Sequence, residues 1–549
     1  MKKITALILA LLACLPLAAC NTNETTPSTA PSSSASLAPA INSATVQDPS
    51  EETIVVDSVI YGLRNASWDL SPWKGNGSSG NTLWLELYSG LMANPGFGTA
   101  LEDMHYDMAE SVEFSADRLT ATIKLRDYIH DSKGNPIKAE DVVFSYQTAP
   151  EVSGVFSRVD TLMDSINAVD ELTIEMKIKR YDPGTWESLL SYCPVVSKEW
   201  YEGASDDEKA NNPATTGAYY VVENVVGTGA TFAKVEDFWQ EDALRSCYQI
   251  ANVKTIEYVC ITEDAMRSIA LEKGEIDIAY LETESAPRFM DDPDYNVYET
   301  VMTNPTSFLL SDAESSPFHN NPALRKAILH AIDFEQVLLA AGGAGFQCHD
   351  IAPRSCGDYI DEWDNAPNFD YDLDVAKQYL AEAGYTENSN LELHFLCRKV
   401  GAQEAVVVVV KSLLEKIGIN LIVDAYDQAL YDTYLAEPDQ WDIVWLGASN
   451  VTGFVTESWD WYFGSRGEQG TVAFVKDDKL QELLDAAKDK HDEASLNAFR
   501  DYYMEQGYGV NAFTSAAYQC SRADVTNIYW NFLMNLHISS STFSENYPG

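Results

Sequence analysis

The sequence predicts an exported α/β protein of two or three lobes. Three observations carry that reading: the length, the interleaving of strand-like and helix-like segments, and an apolar leader followed by a polar leash. At 549 residues, with no internal repeat and no second hydrophobic span, the chain exceeds one ordinary domain. Hydrophobic residues at 46% and aromatics at 11% are enough to build a large core and place the chain outside the disordered class. Lys and Arg total 36 against 84 Asp and Glu, a formal charge of -48, so nucleic acid and anionic lipid headgroups are poor partners. The same charge keeps an exported protein soluble and is read as a solvated face rather than as a site.

The first residues set the compartment. Met1-Lys2-Lys3 is a short positive region, Ile4 to Leu17 an apolar run, and Leu17-Ala18-Ala19-Cys20 a set of small residues before a cysteine. This pattern is a secretory signal over 1–19, too short and wrongly flanked for a membrane span. Its end resembles the bacterial lipobox, which implies cleavage before Cys20 and diacylglycerol on its sulfur. Two acyl chains give stable anchoring where one is marginal. Residues 20–50 are dominated by Asn, Thr, Ser, Pro and Ala, a flexible linker reaching on the order of 30 Å by coil scaling. Cys193, Cys247, Cys260, Cys348, Cys356, Cys397 and Cys520 remain, an odd number, so at least one thiol is free or shared between chains. Cys348 and Cys356 are spaced for a local disulfide or for no bond. A metal held by Cys348, His349 and Cys356 is the weaker reading, because zinc wants four ligands.

The body begins at Thr53 to Tyr61, a β-branched run read as a strand. Gly75 to Gly80 matches the dinucleotide fingerprint by letter but does not follow a strand end, so no nucleotide site is expected. Trp84 to Leu91 has helical spacing with a glycine stop at Gly90. Leu119 to Asp127 alternates as a half-buried strand, and Asp131 to Pro136 is turn chemistry. Lys138 to Tyr146 opens a helix with Glu140 and Asp141 in its first turn, where the helix dipole favours acids. Asn321 before Pro322 reads as an N-cap, and Gly384 as a helix stop in the left-handed region. Asp370, Asp372 and Asp374 mimic a calcium loop, but Val375 and Ala381 stand at its sixth and twelfth positions, so a helix start is expected instead.

Several of these segments, in order, carry a resemblance. Leu125-Arg126-Asp127, the turn His130-Asp131 to Gly134, and Ala139 to Ser145 are similar to the signature of bacterial extracellular solute-binding proteins of family 5, the peptide- and nickel-binding type. Thr216-Gly217-Ala218-Tyr219, Ala270 to Ile278, Asn321 to Ile328 with Ala331-Ile332-Asp333, and Asp374 to Tyr385 continue the likeness. The resemblance implies a two-lobed α/β fold of the periplasmic-binding-protein type, class II, with an additional small domain and a hinged cleft. It places lobe I at 51–88, 206–305 and 514–549, the additional domain at 89–205, and lobe II at 306–513. The implied function is capture of a small extracellular solute, an oligopeptide above others, for a membrane ABC permease, by a lipid-anchored monomer with no cofactor.

A cleft of this kind needs aromatic walls and a few polar anchors. Trp441 to Ser465 is the densest candidate, and from it Trp445, Ser449, Asn450, Trp459, Trp461 and Tyr462 are expected at the ligand. Asn65 and Trp68, after the first strand, form a second set. In peptide-binding relatives an aspartate in this segment pairs with the peptide's ammonium. Ala448 stands in its place here, so either Glu457 or Asp460 replaces it or the ligand has no such group. The alternatives are an oligosaccharide, which stacks on rings and carries no amine, and nickel or another chelated metal. A sensor, a chaperone and a hydrolase rank below these. The sequence holds no Gly-x-Ser-x-Gly elbow, no His-Glu-x-x-His, no Walker loop and no Cys-x-x-Cys, and His130 is read as structural.

Overall fold

The computed structural model describes residues 54–65, 69–74, 78–153, 156–282, 284–301, 305–343, 345–447, 453–464, 475–526, 528–530 and 536–548. One strand organises the molecule. Gly509–Arg522 is 14 residues long and stands in the middle of a 12-stranded sheet. On one side of it the order is Ile278–Leu281, Val56–Leu63, Val253–Cys260, Gly229–Lys234 and Tyr219–Val225; on the other it is Thr306–Leu310, Ile443–Gly447, Leu391–Arg398 and Ile419–Tyr426.

The two halves of the long strand serve different lobes. Its C-terminal half pairs antiparallel with Ile278–Leu281 and with Tyr295–Val301, its N-terminal half with Thr306–Leu310. Tyr295–Val301 and Thr306–Leu310 are consecutive in the chain and lie end to end along the same partner, and the register shifts between Thr306 and Ser307. The lobes are therefore joined through two neighbouring antiparallel stretches, with a bulge beside the junction where a strand bends most easily.

The first lobe is built on the parallel set Val253–Cys260, Val56–Leu63 and Ile278–Leu281. Its core runs without a break into a separate antiparallel sheet of Ala109–Phe114, Thr120–Leu125, Thr173–Ile178 and Met163–Ala168, covered by helix Ala139–Val152. The expected strand at 119–127 is the second of these. Asp131 Oδ1 accepts from the amides of Lys133 and Asn135, both at 2.9 Å, which closes the expected turn. Asp141 Oδ2 accepts from the Lys138 amide at 2.8 Å and so caps the helix that follows.

The helix expected at Trp84 to Leu91 runs instead over Ser78–Leu87 and stops short of Gly90. The reason is a docked backbone: the Gly217 amide donates to the Leu87 carbonyl at 2.8 Å, and a Cβ on Gly217 would sit 2.6 Å from the Glu86 oxygen. Glu86, fully buried, accepts from the amides of Ile538 and Ser539 at 2.9 and 3.2 Å, which ties the C-terminal arm to this helix.

In the second lobe, alternation divides the strands cleanly. Phe308, Leu310, Phe395, Cys397, Ile443 and Trp445 face one core with helices Pro322–Ala331, Phe334–Ala340, Leu373–Glu382 and Gly401–Glu415. Leu309, Leu396 and Val444 face the opposite core with helices Val455–Phe463, Asp478–Lys490 and Glu493–Gln506. Asn321 caps its helix through Leu324 at 3.2 Å, with Pro322 at the first position. Asp372 caps Leu373–Glu382 through the amides of Asp374 and Val375, and Gly384 takes a φ of 88° after it. No cluster of metal-ligating side chains occurs among the described residues. No described helix is long and apolar enough to cross a membrane. None of the seven cysteines of the body forms a disulfide, and Cys348 lies 3.7 Å from the Thr514 hydroxyl rather than bonded to Cys356.

Candidate functional site

The lobes meet in a clasp made of charge and of bare backbone. Arg158, on the short helix Ser157–Leu162 of the additional sheet, pairs with Glu457 on helix Val455–Phe463 of the second lobe. Their side chains are only 12% and 7% exposed, so water screens the pair weakly. Asp182, beyond strand Thr173–Ile178, lies 3.4 Å from the Lys488 ammonium, which also holds Asp460 at 3.0 Å. Arg180 pairs with Asp182 from the first-lobe side. Both acids that the sequence offers as partners for a ligand ammonium, Glu457 and Asp460, are thus engaged with cations of the protein itself.

Beside the ion pairs, three glycines bring backbone onto backbone. Gly98 and Gly453 have φ of 76° and 79°, and a Cβ on Gly453 would lie 2.0 Å from the Gly98 nitrogen. A Cβ on Gly98 would lie 2.4 Å from the Gly357 nitrogen, and the Gly357 amide donates to the Gly453 carbonyl at 2.9 Å. Only glycine allows this approach at these dihedrals. Asp358 and Val455 flank the contact, and Asp358 Oδ1 accepts from the Val455 amide at 2.8 Å. Burial pushes the Asp358 carboxyl up to about 7, and burial also lowers the pKa of His491, whose Nε2 stands 3.4 Å away.

The rings expected at a ligand do not form one wall. Trp445 is 7% exposed and packs at 5.6 Å from Phe308 and 5.8 Å from Phe513, on one face of the second-lobe sheet. Trp459 is fully buried on the other face, 4.6 Å from Phe499, with its Nε1 donating to Asp350 at 2.9 Å. Asp350 also accepts from the Tyr503 hydroxyl at 2.6 Å, and burial raises its pKa. Tyr462 is buried too, and its hydroxyl donates to the Pro305 carbonyl at 3.4 Å, next to the junction between lobes. Trp461 differs from all of these. It is partly exposed, and its Nε1 is buried without a hydrogen-bond partner among the described residues.

Asn65 is exposed just past the end of Val56–Leu63, where the Arg64 guanidinium lies 4.7 Å over the Tyr280 ring. Trp68, Ser449, Asn450 and the expected lipidation residue Cys20 lie outside the described residues, as does Ala448. Sequence reasoning missed Arg158, Asp182, Lys488 and the three glycines. Isolated glycines away from any recognised turn were the available signal for the last three. Nothing local marks an ion pair whose partners stand 299 residues apart.

The comparisons agree with this architecture. YejA of Agrobacterium fabrum, named as a peptide-binding protein, is 21% identical over 503 residues, covering 78% of each chain. Among solved structures, HbpA2 from Haemophilus parasuis superposes with a TM-score of 0.75 at 19% identity, covering 89% of this chain and 100% of the other. The dipeptide-binding protein of Pseudoalteromonas sp. SM9913, solved with Met-Leu, superposes with a TM-score of 0.66 at 19% identity over the same shares. Both likenesses are of fold, a two-lobed periplasmic-binding-protein arrangement. Residues 103–470 match the family described as bacterial extracellular solute-binding proteins, family 5 Middle, and with more than half of its length so matched the chain belongs to that family.

Proposed function

We propose that this chain is the solute-binding receptor of an ABC importer, that its solute is an oligopeptide, and that it catalyses no reaction. The observation that carries the reading is the clasp between two lobes that share the long strand Gly509–Arg522. A solute can stabilise a closed arrangement only by contacts that the open one lacks, and a clasp of this kind supplies the protein's share of that difference. The peptide class is supported by YejA and the Pseudoalteromonas protein, whose names or bound ligand are peptides.

The residues of this reading that touch the solute are Trp461 and Asn65, together with Ser449, Asn450 and Trp68. Trp445, Trp459 and Tyr462 hold the walls in place from behind. The working lobes are 51–88 with 206–305 and 514–549, and 306–513, with 89–205 as the additional domain. The protein acts as a monomer on the outer side of the membrane, anchored through acylated Cys20.

Calorimetry tests the class of solute: the purified body is titrated with a tripeptide pool, an oligosaccharide set and a metal-chelate set. Heat from the tripeptides alone is expected. Heat from sugars or chelates alone would end the peptide reading. For the anchor, Cys20→Ser should move the protein from the membrane fraction to the medium, and unchanged fractionation would refute lipidation.

A further inference from the structure

Helix Val455–Phe463 runs from the clasp to the junction between the lobes. Near its start Glu457 is held by Arg158, and within a turn Asp460 is held by Lys488 at 3.0 Å, with Asp182 of the first-lobe side 3.4 Å from the same ammonium. Near its end the Tyr462 hydroxyl donates to the Pro305 carbonyl at 3.4 Å. Trp461 stands between these anchors, one turn after Glu457 on the same helix face and directly before Tyr462. Its ring is partly exposed, and its indole N–H has no hydrogen-bond partner among the described residues.

Neither end of this helix leaves room for a second polypeptide to pass. At the clasp a Cβ on Gly453 would lie 2.0 Å from the Gly98 nitrogen, so not even a methyl group fits, whereas two backbones side by side need about 4.7 Å. The flanking Arg158, Glu457 and Lys488 side chains are 12%, 7% and 7% exposed, which closes the gaps beside the glycines. At the junction Thr306 pairs with Gly447 on one side and with Phe513 on the other, so the wall there is continuous sheet. The helix fixes the distance between the two walls. From Glu457 to Tyr462 its axis rises about 7.5 Å, at about 1.5 Å per residue. An extended peptide covers about 3.3–3.6 Å per residue, so this span takes up about two to three residues.

We infer that helix Val455–Phe463 is a ruler for the solute: between the Arg158–Glu457 pair and the Pro305 junction it admits a dipeptide or tripeptide lying over Trp461, and it rejects longer chains. The inference rests on the peptide reading and adds the solute's length to it. A longer chain meets the clasp with its end and can be held only while the clasp is open, so it forfeits the contacts that closure supplies.

The test measures binding of Ala-Ala, Ala-Ala-Ala and the alanine hexapeptide to the native protein and to the double variant Arg158→Ser with Glu457→Ser, which shortens both side chains without stranding a charge. The native protein should bind the better of the two short peptides about tenfold or more tighter than the hexapeptide. In the double variant that ratio should fall to about threefold or less, whatever its overall affinity. Scattering on the native protein needs no variant: saturating tripeptide should contract it, and saturating hexapeptide should leave it at the open radius. A hexapeptide that binds the native protein as tightly as the tripeptide and contracts it equally would overturn the ruler and leave the peptide reading standing. A length preference unchanged in the double variant would also overturn it, since the clasp would not be what sets the limit. Binding at no length would remove the peptide reading and the ruler with it.

Discussion

Trp461 and Trp459 stand two positions apart on one helix and have opposite fates, because a helix turns its successive side chains to different surroundings. Trp459 is enclosed and fixed by Asp350, so Trp459→Ala should cost about 3–5 kcal/mol of stability, read as a fall in the denaturation midpoint. Trp461→Ala should leave the midpoint nearly unchanged and weaken solute binding about tenfold or more. Equal effects of the two on stability would place Trp461 in the core. Asp358 supplies a second test at this scale. Its carboxyl is raised to about 7 by burial, so the folded state holds its proton where the unfolded chain has released it. Between about pH 4 and pH 7 the folded protein binds more protons, and this group's contribution to stability falls as pH rises through that window. Asp358→Asn keeps an acceptor for the Val455 amide and should flatten that part of the stability profile. An unaltered slope would mean that the carboxyl ionises normally.

Among the elements, those fixed by local rules were legible in the sequence. The cap at Asn321, the stop at Gly384, the Asp131 turn and the start at Asp372 each follow from hydrogen bonds made within a few residues, and the acids of the first turn after Lys138 from the helix dipole. The helix Ser78–Leu87 stops before the Gly90 that its spacing suggests, because the Gly217 backbone that ends it arrives from 130 residues away. The aromatic segment divides for a similar reason. Density of rings was visible, but Ile443–Gly447 sends Trp445 to one face of the sheet while the helix after it packs on the other. At this scale the glycine contact makes its own prediction. Gly453→Ala places a Cβ within 2.0 Å of the Gly98 nitrogen and strains a φ of 79°. The lobes should then fold but close poorly, lowering solute affinity about tenfold or more. Full affinity in Gly453→Ala would show that closure does not use this contact.

For the whole molecule, the question is whether the clasp belongs to folding or to closing. Arg158 sits with the additional sheet, whose core is continuous with the first lobe, and Glu457 on the second lobe; when these part, both side chains regain water. Their attraction therefore contributes little to the stability of an open, solute-free protein. In the closed form they are nearly buried, and removing one partner leaves the other charge short of a counterion. A double-mutant cycle of Arg158→Met and Glu457→Gln separates the two possibilities. If the pair serves closing, the coupling appears in solute affinity, where each single variant loses about tenfold and the double loses little more than either. Thermal unfolding without solute should show almost none of it. Scattering gives the matching geometric readout: the native protein should contract on adding solute, and each single variant should need more solute to reach the same radius. Coupling confined to unfolding, with affinity and scattering untouched, would make the two lobes one rigid body and leave the clasp as ordinary packing.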